Sequence, residues 1–245
     1  MAQPQVFKGV GIVYIQRLGL ANAILRDMGD VEQLKFANRS SSTTWKQHRR
    51  PGGGNLAKLD ILEGMDLSVQ AQEWTPENQA LFLQGLLEEL AVETVTGEEI
   101  VLTPGGLSPT EFPGPTNVVL TKTSGSTPIP LSAVVVSAAG VRVPADSTEI
   151  TEATPATIAY TSTKGTRIQP IIEAGAEYKL VFDGLNEADS GRPVVVTVWR
   201  WKAPPAEEVS LIDAENPGKL LAKGEVLADS SRPANESPFY RIDWL

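Results

Sequence analysis

Leu67-Ser68-Val69-Gln70-Ala71-Gln72 alternates apolar and polar residues without a break. Successive side chains of an extended strand point to opposite faces, so Leu67, Val69 and Ala71 turn one way and Ser68, Gln70 and Gln72 the other. The stretch is a half-buried strand with one wet face. Working outward, Tyr178, Leu180 and Phe182 form another apolar face just before Asp183-Gly184. Val194, Val196 and Val198 alternate with Val195, Thr197, Trp199 and Trp201, which predicts a strand with apolar groups on both faces. Further strands are expected at 9–15, 31–36, 58–65, 117–122, 133–143, 157–162, 220–228 and 238–244, where Val, Ile, Thr and aromatic residues stand between Gly, Pro, Asp and Ser clusters. Many short strands at this spacing predict a mainly β chain, an antiparallel sandwich or barrel with long loops.

One helix interrupts the pattern, at about 75–91. Thr75 suits an N-cap, Pro76 the first helical position, and Glu77 the positive end of the helix dipole. Phe82, Leu83, Leu86, Leu87 and Leu90 form a stripe at helical spacing with Gln84 and Glu88 opposite, so the helix is expected to cover one face of a sheet. Leu81 falls off that stripe and is a candidate contact with another subunit. Residues 97–131 are rich in Pro, Gly, Thr and Ser and are read as an irregular region inside a single domain spanning 1–245, rather than as a linker between two.

Composition removes most familiar chemistry. Among 245 residues there is no cysteine and one histidine, His48. Disulfide scaffolds, iron–sulfur clusters, thiolate zinc sites and cysteine nucleophiles are excluded, as is a multi-histidine metal site. Gly9-Val10-Gly11 lacks the third glycine of a dinucleotide fingerprint, and Pro51-Gly52-Gly53-Gly54 lacks the Gly-Lys-Ser/Thr ending of a phosphate loop. The carboxylate groups Glu98-Glu99, Glu207-Glu208 and Asp183/Glu187/Asp189 have no calcium-loop spacing, and 30 acidic residues produce such clusters by chance. No catalytic, cofactor or metal residue is therefore assigned. The sequons at Asn38 and Asn235 are read as chance. MAQPQVFKG has no charged n-region followed by an apolar stretch, and no run approaches the ~18–20 apolar residues that span a bilayer, so a chain without a membrane partner, soluble in the cytoplasm where it is made, is expected.

The net charge is −9, a surface that repels phosphate. Against that background Lys35, Arg39, Lys46, Arg49, Arg50 and Lys58 all fall between Glu32 and Asp60 with no acid among them, and His48 lies in their midst. Asn38-Arg39-Ser40-Ser41-Ser42-Thr43-Thr44 and Pro51-Gly52-Gly53-Gly54-Asn55 are loop compositions, so 37–57 is expected to be a long basic loop. A long structureless loop in a compact domain is uncommon unless it has a function. Its charge suits an acidic surface, and another copy of the same chain offers one.

These pieces fall into a recognisable order. Asp27-Met28-Gly29-Asp30-Val31-Glu32-Gln33-Leu34 opens into a strand and the long polar loop. A strand pair then runs from Leu59 to Trp74, directly into Trp74-Thr75-Pro76-Glu77-Asn78-Gln79-Ala80-Leu81 and the helix. Later come Ala176–Asn186 with its Gly184-Leu185-Asn186 turn, Val194–Lys202, Pro204-Pro205-Ala206 and Lys223–Asp229. The order resembles the tail tube (major tail) proteins of long-tailed, siphovirus-like bacteriophages, least closely over 97–170. The resemblance implies a virion protein, assembled in the host cytoplasm, whose six-membered rings stack into a tail tube that conducts genome DNA. It implies contacts with tape-measure, terminator and tail-tip proteins, and no cofactor. It also implies that 37–57 reaches a neighbouring ring, which makes Lys35, Arg39, Lys46, His48, Arg49, Arg50 and Lys58 candidate interface residues. Ser68, Gln70 and Gln72 become candidates for the lumen. A different ring protein of the tail, a terminator or baseplate hub, is the neighbouring alternative. A β-sandwich carbohydrate-binding module is the alternative from another class. It needs exposed aromatics on a strand face, for which Trp199 and Trp201 are the candidates, core or intersubunit packing being the other reading of that pair.

Overall fold

In a computed structural model, residues 6–49, 51–206, 209–214 and 217–245 are described. The strands, in chain order, are β1 (Gly9–Arg17), β2 (Arg26–Asp27), β3 (Val31–Lys46), β4 (Asn55–Ala71), and, after the helix α1 (Pro76–Phe82), β5 (Leu86–Leu90). There follow β6 (Thr94–Leu102), β7 (Leu107–Pro109), β8 (Thr116–Lys122), β9 (Pro128–Ile129), β10 (Val135–Ser137), β11 (Gly140–Arg142) and β12 (Thr154–Thr161). The chain ends with β13 (Gly165–Gln169), β14 (Tyr178–Asn186), β15 (Arg192–Lys202), β16 (Leu220–Val226) and β17 (Tyr240–Trp244). The protein is mainly β with antiparallel sheets, as the alternation predicts.

Contrary to the single domain expected, the chain divides into two compact units, 1–87 with 168–245, and 88–167. It crosses between them within β5 and β13, which pair as a two-stranded ribbon. The stretch 97–131, expected to be irregular, carries most of β6 and all of β7, β8 and β9. Its Pro and Gly residues sit at the turns between short strands, so composition averaged over the stretch hides the strands. In this second unit β6-β12-β8-β9 and β10-β11-β7 enclose one core around Leu102, Val141, Val143, Ile150 and Ile158, all fully buried. Tyr160 spans its edge, donating to Glu98 Oε2 at 2.8 Å and accepting from the Phe112 N–H at 3.0 Å.

The first unit is one sheet in the order β2-β1-β14-β15-β16-β4-β3, with β17 also paired to β15. Strand β15 is shared: Val194–Val198 pair with β17, and Trp201 and Lys202 pair with β16. The sheet therefore folds back on itself, and side chains from β1, β14 and β15 meet those from β4 and β16 in one core. Trp201 is its centre, wholly buried, with its indole N–H donating to the Leu67 carbonyl at 3.1 Å. Phe36 of β3 stacks on Tyr240 of β17 with ring centres 4.7 Å apart, closing the open end. Leu67, Val69 and Ala71 are completely buried, on the face the alternation assigns to them.

The helix is shorter than 75–91. It begins as expected, with Thr75 Oγ1 accepting from the Asn78 N–H at 3.2 Å and Pro76 in the first turn, but ends at Phe82. Gln84 adopts φ +48°, a left-handed conformation that stops a helix, and its amide donates to the Ala203 carbonyl inside the core. Gly85 follows, and Leu86–Leu90 is strand. The leucines that suggest a helical stripe are spaced so that strand pairing serves them as well. Leu81, read from sequence as a candidate contact with another subunit, packs against the core instead. Phe82 fills that core, and Asn78 beside it is wholly buried, its amide donating to the Met28 carbonyl at 2.8 Å.

Trp201→Ala removes the largest fully buried side chain and its hydrogen bond to β4. A loss of about 3–5 kcal/mol in the unfolding free energy of the first unit is expected, read by urea denaturation followed by circular dichroism. A loss below about 1 kcal/mol would place the centre of the core elsewhere.

Candidate assembly surfaces

The segment 37–57, expected as a loop, is a β-hairpin arm. Strands β3 and β4 pair from Val31↔Ala71 to Lys46↔Asn55 with three register shifts, and among the described residues 47–49 and 51–54 connect them. Beyond Ala37 on β3, and before Gly64 on β4, every described strand residue is exposed. With water on both faces the arm needs no apolar/polar alternation, which is why its Ser/Thr run reads as loop in sequence. The pairing itself is what the β-branched Thr43 and Thr44 favour.

A bulge re-aims the arm. Arg39 pairs with Gly64 and Ser40 with Leu62, so Glu63 is an extra residue on β4. On the core side of the bulge, odd-numbered β4 residues face inward with Leu34 and Phe36 of β3. Beyond it the phase flips, and Ile61, Leu59 and Ala57 lie opposite Ser41, Thr43 and Trp45, on the other side of the ladder. Trp45, Leu59 and Ile61 are each 48% exposed and form an apolar stripe on that side. The opposite side of the arm carries Ser40, Ser42 and Thr44 with Lys58 bonded to Asp60 at 2.8 Å, and Leu62 near the base.

The cations singled out in sequence are dispersed along this arm. Lys35 and Arg39 belong to its base, on the polar face of the sheet. Lys46 pairs with Asn55 at the end of the strands, while His48 and Arg49 lie at the turn. Arg50 lies outside the described residues. Arg39 is engaged within the chain, 3.3 Å from Asp66 and 2.6 Å from Glu225. Its cross-strand neighbour Gly64 permits this, because a Cβ there would lie 2.6 Å from Arg39 Nη2. Among the described residues Lys35, Lys46 and Arg49 make no ion pair.

Ser68, Gln70 and Gln72 do share the face opposite the core, and β3 and β16 flank it with charge. Lys219 binds Glu32 at 2.6 Å, Gln70 donates to the same carboxylate at 2.7 Å, and Lys223 lies 3.5 Å from Asp66. Three cations, Arg39, Lys219 and Lys223, thus meet three carboxylates, Glu32, Asp66 and Glu225, in an interleaved network. Each exposed pair adds little to stability. Collectively they leave few of the cations on this face free. The Glu32 carboxyl is held below its ordinary 4.5, chiefly by the hydrogen bond from Lys219.

At the base of the arm a groove of about 470 Å³ opens on the core side of the sheet, lined by Phe7, Phe36, Phe182, Val196, Ile242 and Trp244 among others. Val13 and Val194 are buried at its floor, while Phe7 and Trp244 meet edge-on at 5.7 Å at its exposed rim. Neither the stripe nor the groove is visible in sequence, since one depends on the bulge and the other brings together β1, β3, β14, β15 and β17. The carbohydrate-binding candidates offer no platform. Trp201 is fully buried, and Trp199 is 8% exposed beneath Arg232, whose guanidinium carbon lies 3.7 Å from the ring centre. Asp183, Glu187 and Asp189 are exposed, and Glu207 and Glu208 lie outside the described residues.

The molecule is thus a mainly β protein of antiparallel sheets, with a hairpin arm and a second compact unit, 88–167, inserted between β5 and β13 of the first. Over residues 6–243 the chain matches the family described as "Protein of unknown function UCP028589", and it belongs to that family. No curated protein matches the sequence.

The lowered Glu32 pKa has a defined consequence for stability. A carboxylate whose folded pKa is depressed stabilises the fold above its unfolded pKa and loses that contribution as pH falls through the folded value. Below pH 4.5 the unfolding free energy of Glu32→Gln should therefore decline less steeply than that of the native chain. Parallel acid limbs in denaturation curves would show that the contact with Lys219 is not maintained in solution.

Proposed function

We propose that this chain is a structural subunit that assembles with copies of itself: a tail tube protein of a long-tailed bacteriophage, stacked as hexameric rings into the conduit for genome DNA. The observation that carries the reading is the arm. Strands of 16 and 17 residues project an exposed ladder with an apolar side, and among the described residues β3 has a strand partner on only one edge. A long exposed edge of this kind is an aggregation hazard unless a partner covers it. Closing sheets through a ring of subunits removes such edges.

The polar face supports the conduit. A wall that conducts a polyanion must not grip it, because each free cation on phosphate adds salt-sensitive affinity. Here Arg39, Lys219 and Lys223 are capped by carboxylates, and Ser68 and Gln70 fill the spaces between. Loading is then structural, with no catalytic step, and the partners are other copies and the tail proteins that set length and ends.

Negative-stain electron microscopy of the purified protein, across concentration and salt, should reveal hollow tubes of uniform width. Single rings that never stack would favour a terminator or hub instead. Replacing Ser41–Ile61 by a two-residue turn should leave a folded subunit by circular dichroism and abolish the tubes. Tubes of unchanged width from the armless chain would sink the proposed role of the arm.

A further inference from the structure

The apolar stripe of the arm and the groove at its base, on opposite sides of the β3–β4 ladder, are two unpartnered surfaces of one chain. We infer that they are the two halves of a single contact: the arm of one copy lays Trp45, Leu59 and Ile61 into the groove of a second copy. The inference rests on the self-assembling reading above and specifies the patch through which it operates. It also changes the chemistry expected of the arm, from cations seeking carboxylates to an apolar surface seeking an apolar one.

The geometry excludes a copy filling its own groove. Leu34 and Phe36 line that groove from β3, on the core side of the β3–β4 ladder. Beyond the Glu63 bulge the stripe lies on the opposite side of the same ladder. The arm is a continuous extension of the groove's own wall, so its far side cannot turn back into it. The groove is therefore not filled by its own arm, and the self-assembling reading makes its occupant the arm of a second copy.

The two surfaces match in kind. From Ala57 to Ile61 the stripe runs roughly 13 Å along β4, presenting indole and branched aliphatic groups. The groove presents Phe7, Ile242 and Trp244 at its mouth, 55%, 47% and 46% exposed. Its flanks are strand edges: among the described residues Gly9–Ile12 of β1 pair only with β14, and β3 only with β4. Apolar side chains half in water on a monomer are buried by such a contact, while Lys46 and Arg49 at the arm's end stay at its polar margin. There they govern orientation and salt dependence more than affinity. Arm and groove are different patches, so every copy gives one arm and receives another. Repeated contacts of that heterologous kind close as a ring or continue as a stack.

The absence of cysteine makes the test direct. Leu59→Cys is combined with Ile242→Cys, and the purified protein is treated with a short bis-maleimide. Each double variant can then link to two neighbours, so a ladder of dimers, trimers and longer oligomers is expected, whereas either single variant stops at the dimer. In parallel, the triple variant W45S/L59S/I61S should require about tenfold or more protein to assemble, with an unchanged circular dichroism spectrum. Tubes without a ladder would refute the arm–groove contact and leave self-assembly standing. A ladder without tubes would support the contact and refute the tube. Neither ladder nor particles would refute both.

Discussion

Strand β4 is the constraint on which the first unit depends. Its inner half, from Met65 to Ala71, pairs with β3 on one side and, from Asp66 onward, with β16 on the other, while burying one face completely. Because side chains alternate strictly, that burial dictates the identity of the other face: once Leu67, Val69 and Ala71 are inside, Ser68 and Gln70 must face away. The Trp201 indole, bonded to the Leu67 carbonyl, ties this strand to β15 across the fold. The two halves of the sheet are thereby held to a common core.

The same strand then leaves the core and changes role. One extra residue, Glu63, reverses its phase, so apolar positions that would have continued the inward stripe emerge on the other side of the ladder. A single bulge thus separates a strand that stabilises the subunit from one that presents a surface. This division explains how a chain can carry a tightly packed core and an exposed apolar patch a few residues apart. Bulges placed at the start of an unpartnered extension are devices that re-aim side chains.

Electrostatics follows the same logic of placement. The cations crowded between Glu32 and Asp60 in sequence look like one patch, yet folding distributes them over a sheet face, an arm and a turn. At the base, β16 and the residue just before it supply Lys219, Lys223 and Glu225, more than 150 residues away in the chain, and convert the basic cluster into an interleaved network with Asp66 and Glu32. A local excess of charge in sequence is therefore not an excess on the surface. The proposed conduit role draws on that neutralised face, and the proposed docking on the apolar side of the arm.

By itself the sequence determined that this is a mainly β chain, which residues of Leu67–Gln72 face inward, where the helix begins, and that no cysteine or multi-histidine chemistry is available. All of these follow from local rules: strand periodicity, capping preference and the inventory of side chains. The end of the helix at Gln84, the second unit at 88–167, the hairpin in place of a loop, and the apolar stripe and groove were decided only by tertiary structure. Leu86, Leu87 and Leu90 satisfy a helix or a strand equally, and the Gln84 bond to Ala203 breaks the tie. Ser40–Thr44 is strand because β4 lies beside it, and Leu59 and Ile61 point outward because Glu63 has no partner across the ladder. Each of these outcomes depends on a residue distant in the chain or on a register between strands, and neither is recorded in local composition.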